Sequence, residues 1–470
     1  MIEFDPKALA QMDLDRLRTY EDNLDFYNGV QWLQKDKAGK ERPLVFNYSK
    51  AAIDKVTSYL MRGLKFPCYP LEETEELEER VKRAESLLIE VYEQNNLQQL
   101  DWETELDAAI LGDGCFKVIW DTQKRRVKVV SPDVRGLYAW WLGDDLSSLW
   151  RVASKYELTQ DEVEILYGLK TNKNKVPVIE VWTEKTFDLW VNDELRQSKS
   201  NPYSFIPFII FPNYRQPKQF WGTSDISCLR EIQRELNRSV TQLSRILEVS
   251  GNPIVVFSGL EEQEIKVGPG KTWFLPTPEA KAYILDFLKG GGIRLHVDYI
   301  DLLYRCLHDL SEMPRAAYGG IEKELSGAAL NIELGSLVQK VTRKRTIRNE
   351  VYHRRTEMIL QLAEKFLHEN FSGVLHRVVW GPILPADLAR QAQNEQLLVS
   401  TGIHSRRTAM DEMGVKDPEA ELQRWLEERA IIREQNIKLP TPSTRGGPIT
   451  RALESTEIES EEEEIAQQID

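Results

Sequence analysis

Residues 339–355 read QKVTRKRTIRNEVYHRR. The run holds Lys340, Arg343, Lys344, Arg345, Arg348, Arg354 and Arg355 against a single acid, Glu350. Cations at this density can hold phosphates, and neutralising phosphates is the source of tight, salt-sensitive nucleic-acid binding. The chain as a whole points the other way, with a formal net charge of −14. An acidic protein that meets DNA does so through a local patch, or is built to avoid sticking.

Other stretches carry chemistry-bearing residues without completing a motif. GPGKT at 268–272 ends like a phosphate-binding loop. That loop needs a glycine at 265, where the chain has Ile265, and a helix afterwards, where Trp273-Phe274-Leu275-Pro276 reads as a strand. A β-turn is the better reading. Gly290 to Gly292 read as a hinge rather than a phosphate cradle. The six histidines show neither H-E-x-x-H nor another close metal spacing. His296, Asp298 and Asp301 do not share one narrow helix face. His308 with Glu312, and Asp301 with Arg305, read as i,i+4 pairs on a solvated face. No G-x-S-x-G or Cys/His signature occurs, and Asp144-Asp145 after WWLG reads as turn chemistry. The expectation is no catalytic residue, no metal and no cofactor. Arg230, Arg234 and Arg238 form an i,i+4,i+8 row beside Glu231 and Glu235. Two readings stand for that row: a solvated ion-pair face, or a contact with a neighbouring subunit.

The elements that must position these residues are α+β up to about 220. Helices are expected over 13–28, after an Asn47 cap to Gly63, over about 72–99 and over about 101–111. CFKVIWD with RRVKVVSP, and VPVIEVWT with TFDLWVND, read as strand pairs, and YSFIPFIIFP as a buried strand. Thr159 with Glu162 makes a capping box for a short helix ending at Gly168. Leu229, Ile232, Leu236, Val240, Leu243 and Leu247 then step by 3 and 4, which predicts a helix over about 224–250. Two strand-like stretches follow, IVVFSG and IKVGPGKTWFLP, then a second helix stopped by Pro314. A long helix is expected over about 327–368. Its apolar stripe runs Leu330, Leu334, Leu337, Val341 and resumes as Ile347, Val351, Met358, Leu362, Phe366. The step from 341 to 347 breaks the phase, so the helix bends there or changes what it packs on. The basic run sits on that break. Residues 383–435 read as helical, with Ser405 and Asp417-Pro418 opening helices, and 436–470 as a disordered acidic tail.

Length and composition bound the class. With 470 residues there is core enough for two to four domains. Cys68, Cys115, Cys228 and Cys306 form no C-x-x-C pair, which fits a reducing compartment. The N-terminus lacks the basic start and apolar core of a signal peptide. The longest apolar run, in FIPFIIFP, is too short to span a bilayer. A soluble, cytosolic protein is expected.

The order of parts resembles the portal proteins of tailed bacteriophages and prophages, over roughly 13–430. The resemblance rests on LDFYNGVQW, VFNYSKAAIDKVTSYLMRG, GDGCFKVIWD, IPFIIFPN, WGTSDISCLREIQRELNRSVTQLS, SGAALNIEL and GIHSRRTAMDEMGVKDPEAELQRWLEE. It implies an α+β, mainly helical subunit: an α/β wing (1–223), two stem helices (224–250 and 294–313) and a small β-rich clip (251–293). A tunnel loop (314–326), a long helix with further wing (327–382) and a helical crown (383–435) complete it. It also implies a homo-oligomeric ring, dodecameric in assembled heads, at one capsid vertex of the virion, built in the host cytoplasm. Double-stranded DNA would pass without sequence-specific binding. Large terminase, head–tail adaptor, major capsid and scaffolding proteins would be partners, with no membrane and no enzymatic activity. The residues it singles out are Arg315, Tyr318, Glu322, Lys323 and Glu324 in the tunnel loop, and Lys266, Lys271 and Trp273 in the clip. In the stem it singles out Arg230, Arg234, Arg238, Asp301 and Arg305.

A ring repeats every charge once per subunit, so seven cations facing the lumen would trap DNA. The expectation is therefore that most of the 340–355 cluster faces a neighbouring subunit, pairing with acids such as those of 71–86. A minority, Lys344 or Arg348, would ring the DNA. The alternative is a solvated helix face. The rival functions are a nucleotide-driven packaging enzyme, for which the phosphate loop and metal acid are missing, and a cytosolic helical adaptor with no DNA role.

Overall fold

Local capping chemistry sets the first helices. α1 spans Leu14–Tyr27 and α2 spans Tyr48–Leu60. The Asn47 side chain accepts from the Lys50 backbone N–H at 3.1 Å, as its place before an apolar-periodic run predicts. β1 (Cys68–Pro70), α3 (Glu75–Gln94) and α4 (Leu97–Leu111) follow, then the hairpin β2 (Asp113–Asp121) and β3 (Arg126–Val130). The computed structural model describes residues 4–32, 43–170, 174–251, 254–258, 278, 281–285, 292–319, 327–384, 388–415 and 417–435.

An aromatic stretch that the sequence reading left unassigned forms β4 (Leu137–Leu142) and β5 (Asp145–Leu158). After α5 (Gln160–Tyr167), with both capping-box bonds in place, come β6 (Val176–Trp182), β7 (Thr186–Val191) and β8 (Glu194–Ser200). These five strands make one antiparallel meander in chain order. Asp144 and Asp145 lie at its first turn, where Asp145 Oδ1 accepts from the Ser147 N–H at 3.0 Å. β9 (Phe208–Pro212) joins a separate sheet of order β3-β2-β9.

The first long helix, α6, spans Arg230–Gly251, not the 224 start expected. Residues 225–229 are turns instead, and Ser224 is irregular. The reason is that Ser224 and Asp225 are committed elsewhere: Ser224 Oγ donates to Ile110 O at 2.6 Å, and the Asp225 N–H to Ala109 O at 3.0 Å. β10 (Ile254–Ser258) pairs antiparallel with β11 (Lys281–Leu285). α7 (Gly292–Ser311) packs back on α6 through Leu236, Leu303 and Leu307. α8 (Gly327–Glu333) and α9 (Gly335–Leu367) replace the one long helix expected, with the break at Leu334. α9 runs unbroken through 341–347. Of the two expectations for that phase break, the change in packing is the one observed. Leu334, Leu337 and Val341 join a cluster with Ala52, Val56, Leu60 and Met313. Val351, Met358, Ile359 and Leu362 join another with Leu87, Leu88, Phe116 and Phe211. β12 (Val374–His376) pairs with β1.

Residues 1–384 form one compact unit. The other, 385–470, contains α10 (Leu388–Ser400), α11 (Arg406–Glu412) and α12 (Pro418–Gln435). Lys266, Lys271, Trp273, Glu322, Lys323, Glu324, GPGKT and the 436–470 tail lie outside the described residues.

One close approach holds the segment before α6 against the end of α4. A Cβ on Gly222 would stand 2.4 Å from the Gly112 carbonyl oxygen, and Gly112 itself sits at φ +120. No side chain fits between two backbones at that spacing. Gly222→Ala should therefore cost about 2 kcal/mol or more, because backbone cannot yield as a side-chain tip can. Urea unfolding of the variant checks this; wild-type stability would mean that the strand end shifts freely.

Candidate functional site

Five of the seven cations of the basic run are inside the protein, while Arg343 is exposed and Arg354 only partly buried. On α9, Lys340, Lys344, Arg345, Arg348 and Arg355 are all buried, with Arg348 and Arg355 at 0% exposure. They fall on the same face as Leu337, Val341, Val351 and Tyr352, so the buried stripe is continuous where the apolar stripe is not. Ile347, read from the sequence as resuming the stripe, is only half-buried.

A buried cation needs an anion, and each finds one from a distant part of the chain. Asp225, in the turn before α6, takes Lys340 at 2.8 Å and Lys344 at 2.5 Å. Arg348 pairs with Glu105 of α4 through two bonds from Nε, at 2.9 and 3.1 Å. Arg355 pairs with Asp101, one turn earlier on α4. The order of partners runs oppositely along α4 and α9. Arg345 has no acid; its guanidinium donates to the carbonyls of Tyr59, Leu60, Arg62 and Gly381. Arg343, half-exposed, pairs with Glu312 at 2.5 Å.

Asn213, at the end of β9, ties the row together. Its Oδ1 accepts from Lys344 at 2.6 Å and Arg348 at 3.3 Å, and its Nδ2 donates to Asp225 at 3.2 Å. Asp113 adds a neighbouring carboxylate that accepts from the Gly222 N–H at 2.8 Å and from the Tyr20 hydroxyl. Burial pushes the Asp113 carboxyl up to about 6. Burial also opposes the charge on Asp225, but Lys340 and Lys344 more than offset it and hold that carboxyl below the usual range. Lys344 shares its acid with Lys340. Burial, with Lys340 and Arg348 close by, brings its ammonium down to about 8. Burial alone lowers Arg345 to about 10.

The pairing with acids of 71–86 on a neighbouring subunit is overturned for the buried members. Lys344 and Arg348 have no surface with which to ring DNA, because Asp225, Asn213 and Glu105 enclose them. Sequence reasoning missed Asp101, Glu105, Asn213 and Asp225. A signal existed: Asp101 and Glu105 sit at i,i+4 among Leu97, Thr104 and Ala108, all buried positions of α4.

The other singled-out residues lie apart from this row. Arg230 reaches back to Asp22 at 3.8 Å, Arg234 pairs with Glu231 at 3.2 Å, and Arg238 with Glu235 at 2.7 Å. Asp301 and Arg305 pair on the exposed side of α7 at 3.1 Å. His308 is not on a solvated face with Glu312. It is buried, with Nδ1 2.7 Å from the Met313 carbonyl and its ring 4.4 Å from Tyr304. Tyr318 lies 5.5 Å from the same imidazole, and Arg315 sits 5.9 Å over Tyr304. Among the described residues no group of three or more His, Cys, Asp or Glu could hold a metal ion, and no helix is long and apolar enough to cross a membrane.

Asp225→Asn should lower stability by about 3–5 kcal/mol at pH 7, because it strands two buried ammonium groups. The loss should shrink towards pH 9. The unfolded chain keeps a lysine proton to about pH 10, whereas a stranded Lys344 releases it earlier, so stability rises with pH in that window. Urea titrations at the two pH values check both parts.

The sequence stretches that meet at this junction are LGDG, IPFIIFPN, WGTSD and the basic run of α9. No curated protein matches the chain. A family profile, phage portal protein of the SPP1 Gp6-like kind, matches residues 7–435. That family is structural rather than enzymatic, and its members are bacteriophage capsid connectors used in DNA packaging. The match takes in α6, α7, α9 and every residue of the buried row, and the chain belongs to the phage portal protein family.

Proposed function

We propose that the chain is the repeating subunit of a ring at one capsid vertex, and that double-stranded DNA passes through the ring's channel in packaging and ejection. The observation that carries this is the family match over residues 7–435. In this reading α6 and α7 are the stem, and the segment between them is the clip where terminase and later the head–tail adaptor dock. Residues 314–326 are the tunnel loop, whose root is the Arg315–Tyr318 turn resting on α7. Residues 383–435 are the crown, and a dodecamer is the expected assembly.

Charge supports a conduit. The row on α9 takes five cations and three acids out of solvent. What remains outside is more acidic than the formal net charge of −14. A duplex gains few phosphate contacts on such a surface and slides, where a basic wall would hold it. Packing supports a ring. α7 carries a second apolar stripe, Leu295, Tyr299, Leu302 and Leu310, which stays exposed while Leu303 and Leu307 pack on α6. A neighbouring subunit covers that stripe, with Arg238, Asp301 and Arg305 supplying polar contacts at its edge.

Electron microscopy of the purified chain should give end-on rings with a central hole, and with them the subunit count. Uniform small particles at high protein concentration would contradict the reading in favour of a helical adaptor. Leu302→Asp should lower ring yield several-fold while changing unfolding of the single chain by less than about 1 kcal/mol, as exposed substitutions do.

A further inference from the structure

The C-terminal helical unit has almost no interior. Between 391 and 431, no described residue is buried. Leu397, Ile403, Leu426 and Ile431 are each more than half exposed. What holds the helices are surface contacts. Gln391 donates to Glu412 O at 2.8 Å, His404 meets Glu395 at 2.9 Å, and Arg407 meets Glu419 at 2.7 Å. Arg406 and Arg429 flank the Trp425 ring at 4.3 and 4.8 Å. Exposed pairs of this kind contribute little each. α10 has 13 residues and α11 has 7, lengths at which a helix in water is marginal without tertiary packing.

We infer that this unit acquires its fold by packing against the same unit of neighbouring copies, so that ring assembly and crown folding are one event. The inference rests on the ring reading given above. The occupant is a second copy on grounds of charge. Residues 388–435 carry seven Lys and Arg against nine Asp and Glu, with both signs interspersed. Two such surfaces can meet by setting the cations of one against the acids of the other, because neither sign forms a block of its own. A slight acidic excess also disfavours a nucleic-acid occupant. Units this small need added support, and oligomerisation supplies it.

Hydrogen exchange on the full chain, with single chains and rings separated by size, tests this. In single chains the amides of 391–431 should exchange within about tenfold of unfolded rates. In rings they should slow at least a hundredfold, while the α9 amides stay slow in both. Equal protection of 391–431 in single chains would overturn the inference, because another part of the same chain would then be covering the unit. So would rings whose crown amides exchange as fast as in single chains, and that result would leave the portal reading standing. A chain that forms no ring overturns the portal reading first and this inference with it. Leu426→Glu gives a second readout. Rings of this variant should lose crown protection and keep that of α9, and unchanged crown protection would show that no copy covers the face.

Discussion

Asp225 is the point on which the large unit depends. It stands in the turn before α6 and holds two ammonium groups from α9 at once. A carboxylate without solvent is costly, and so is each lysine; together, with Asn213 donating to Asp225 Oδ2 and accepting from Lys344, and Ser311 O accepting from Lys340, the cost is offset. Geometry is what makes the set work. The turn that carries the acid is held against the end of α4 by the bonds of Ser224 to Ile110 O and Asp225 N–H to Ala109 O, beside the close approach of Gly222 to Gly112.

Such rows are a poor source of net stability. A buried ion pair roughly balances desolvation against attraction, and well-packed apolar residues would do as well or better. What they add is specificity. Asp225, Glu105 and Asp101 accept one alignment of α9 and penalise a slipped one, because a slip of one turn strands several charges. A single register of α9 makes the large unit alike in every copy of the chain. The row also reduces a chemical hazard, since five of the seven cations in the run are kept from solvent and from any phosphate.

Much of the helical part was legible from residue types. Asn47, Thr159 and Ser405 cap helices where their positions predict, and the spacing of Leu229, Leu236 and Val240 gives most of α6. The buried row was not legible, for a physical reason. Periodicity treats Lys and Arg as solvent-facing, so the core stripe of α9 looked broken between Val341 and Ile347 when Lys344, Arg345 and Arg348 complete it. The partners lie 119 residues away at Asp225 and 243 away at Glu105, beyond any local pattern. The β4–β8 meander was half seen, because LYAWWLGDDLSSLW alternates too weakly to declare two strands. Three of the seven stretches on which the family resemblance rests, those beginning GDGC, IPFI and WGTS, have ends that the fold brings to one junction.

The central claim is that the basic run is an internal row and not a surface for DNA or for a neighbouring subunit. Lysine acylation of the native chain, read by mass spectrometry on single chains and on rings, tests it most directly. The account predicts that Lys340 and Lys344 stay unmodified in both, while exposed lysines such as Lys50 and Lys175 react. Ready modification of Lys344 in single chains, lost on ring assembly or on adding DNA, would contradict it.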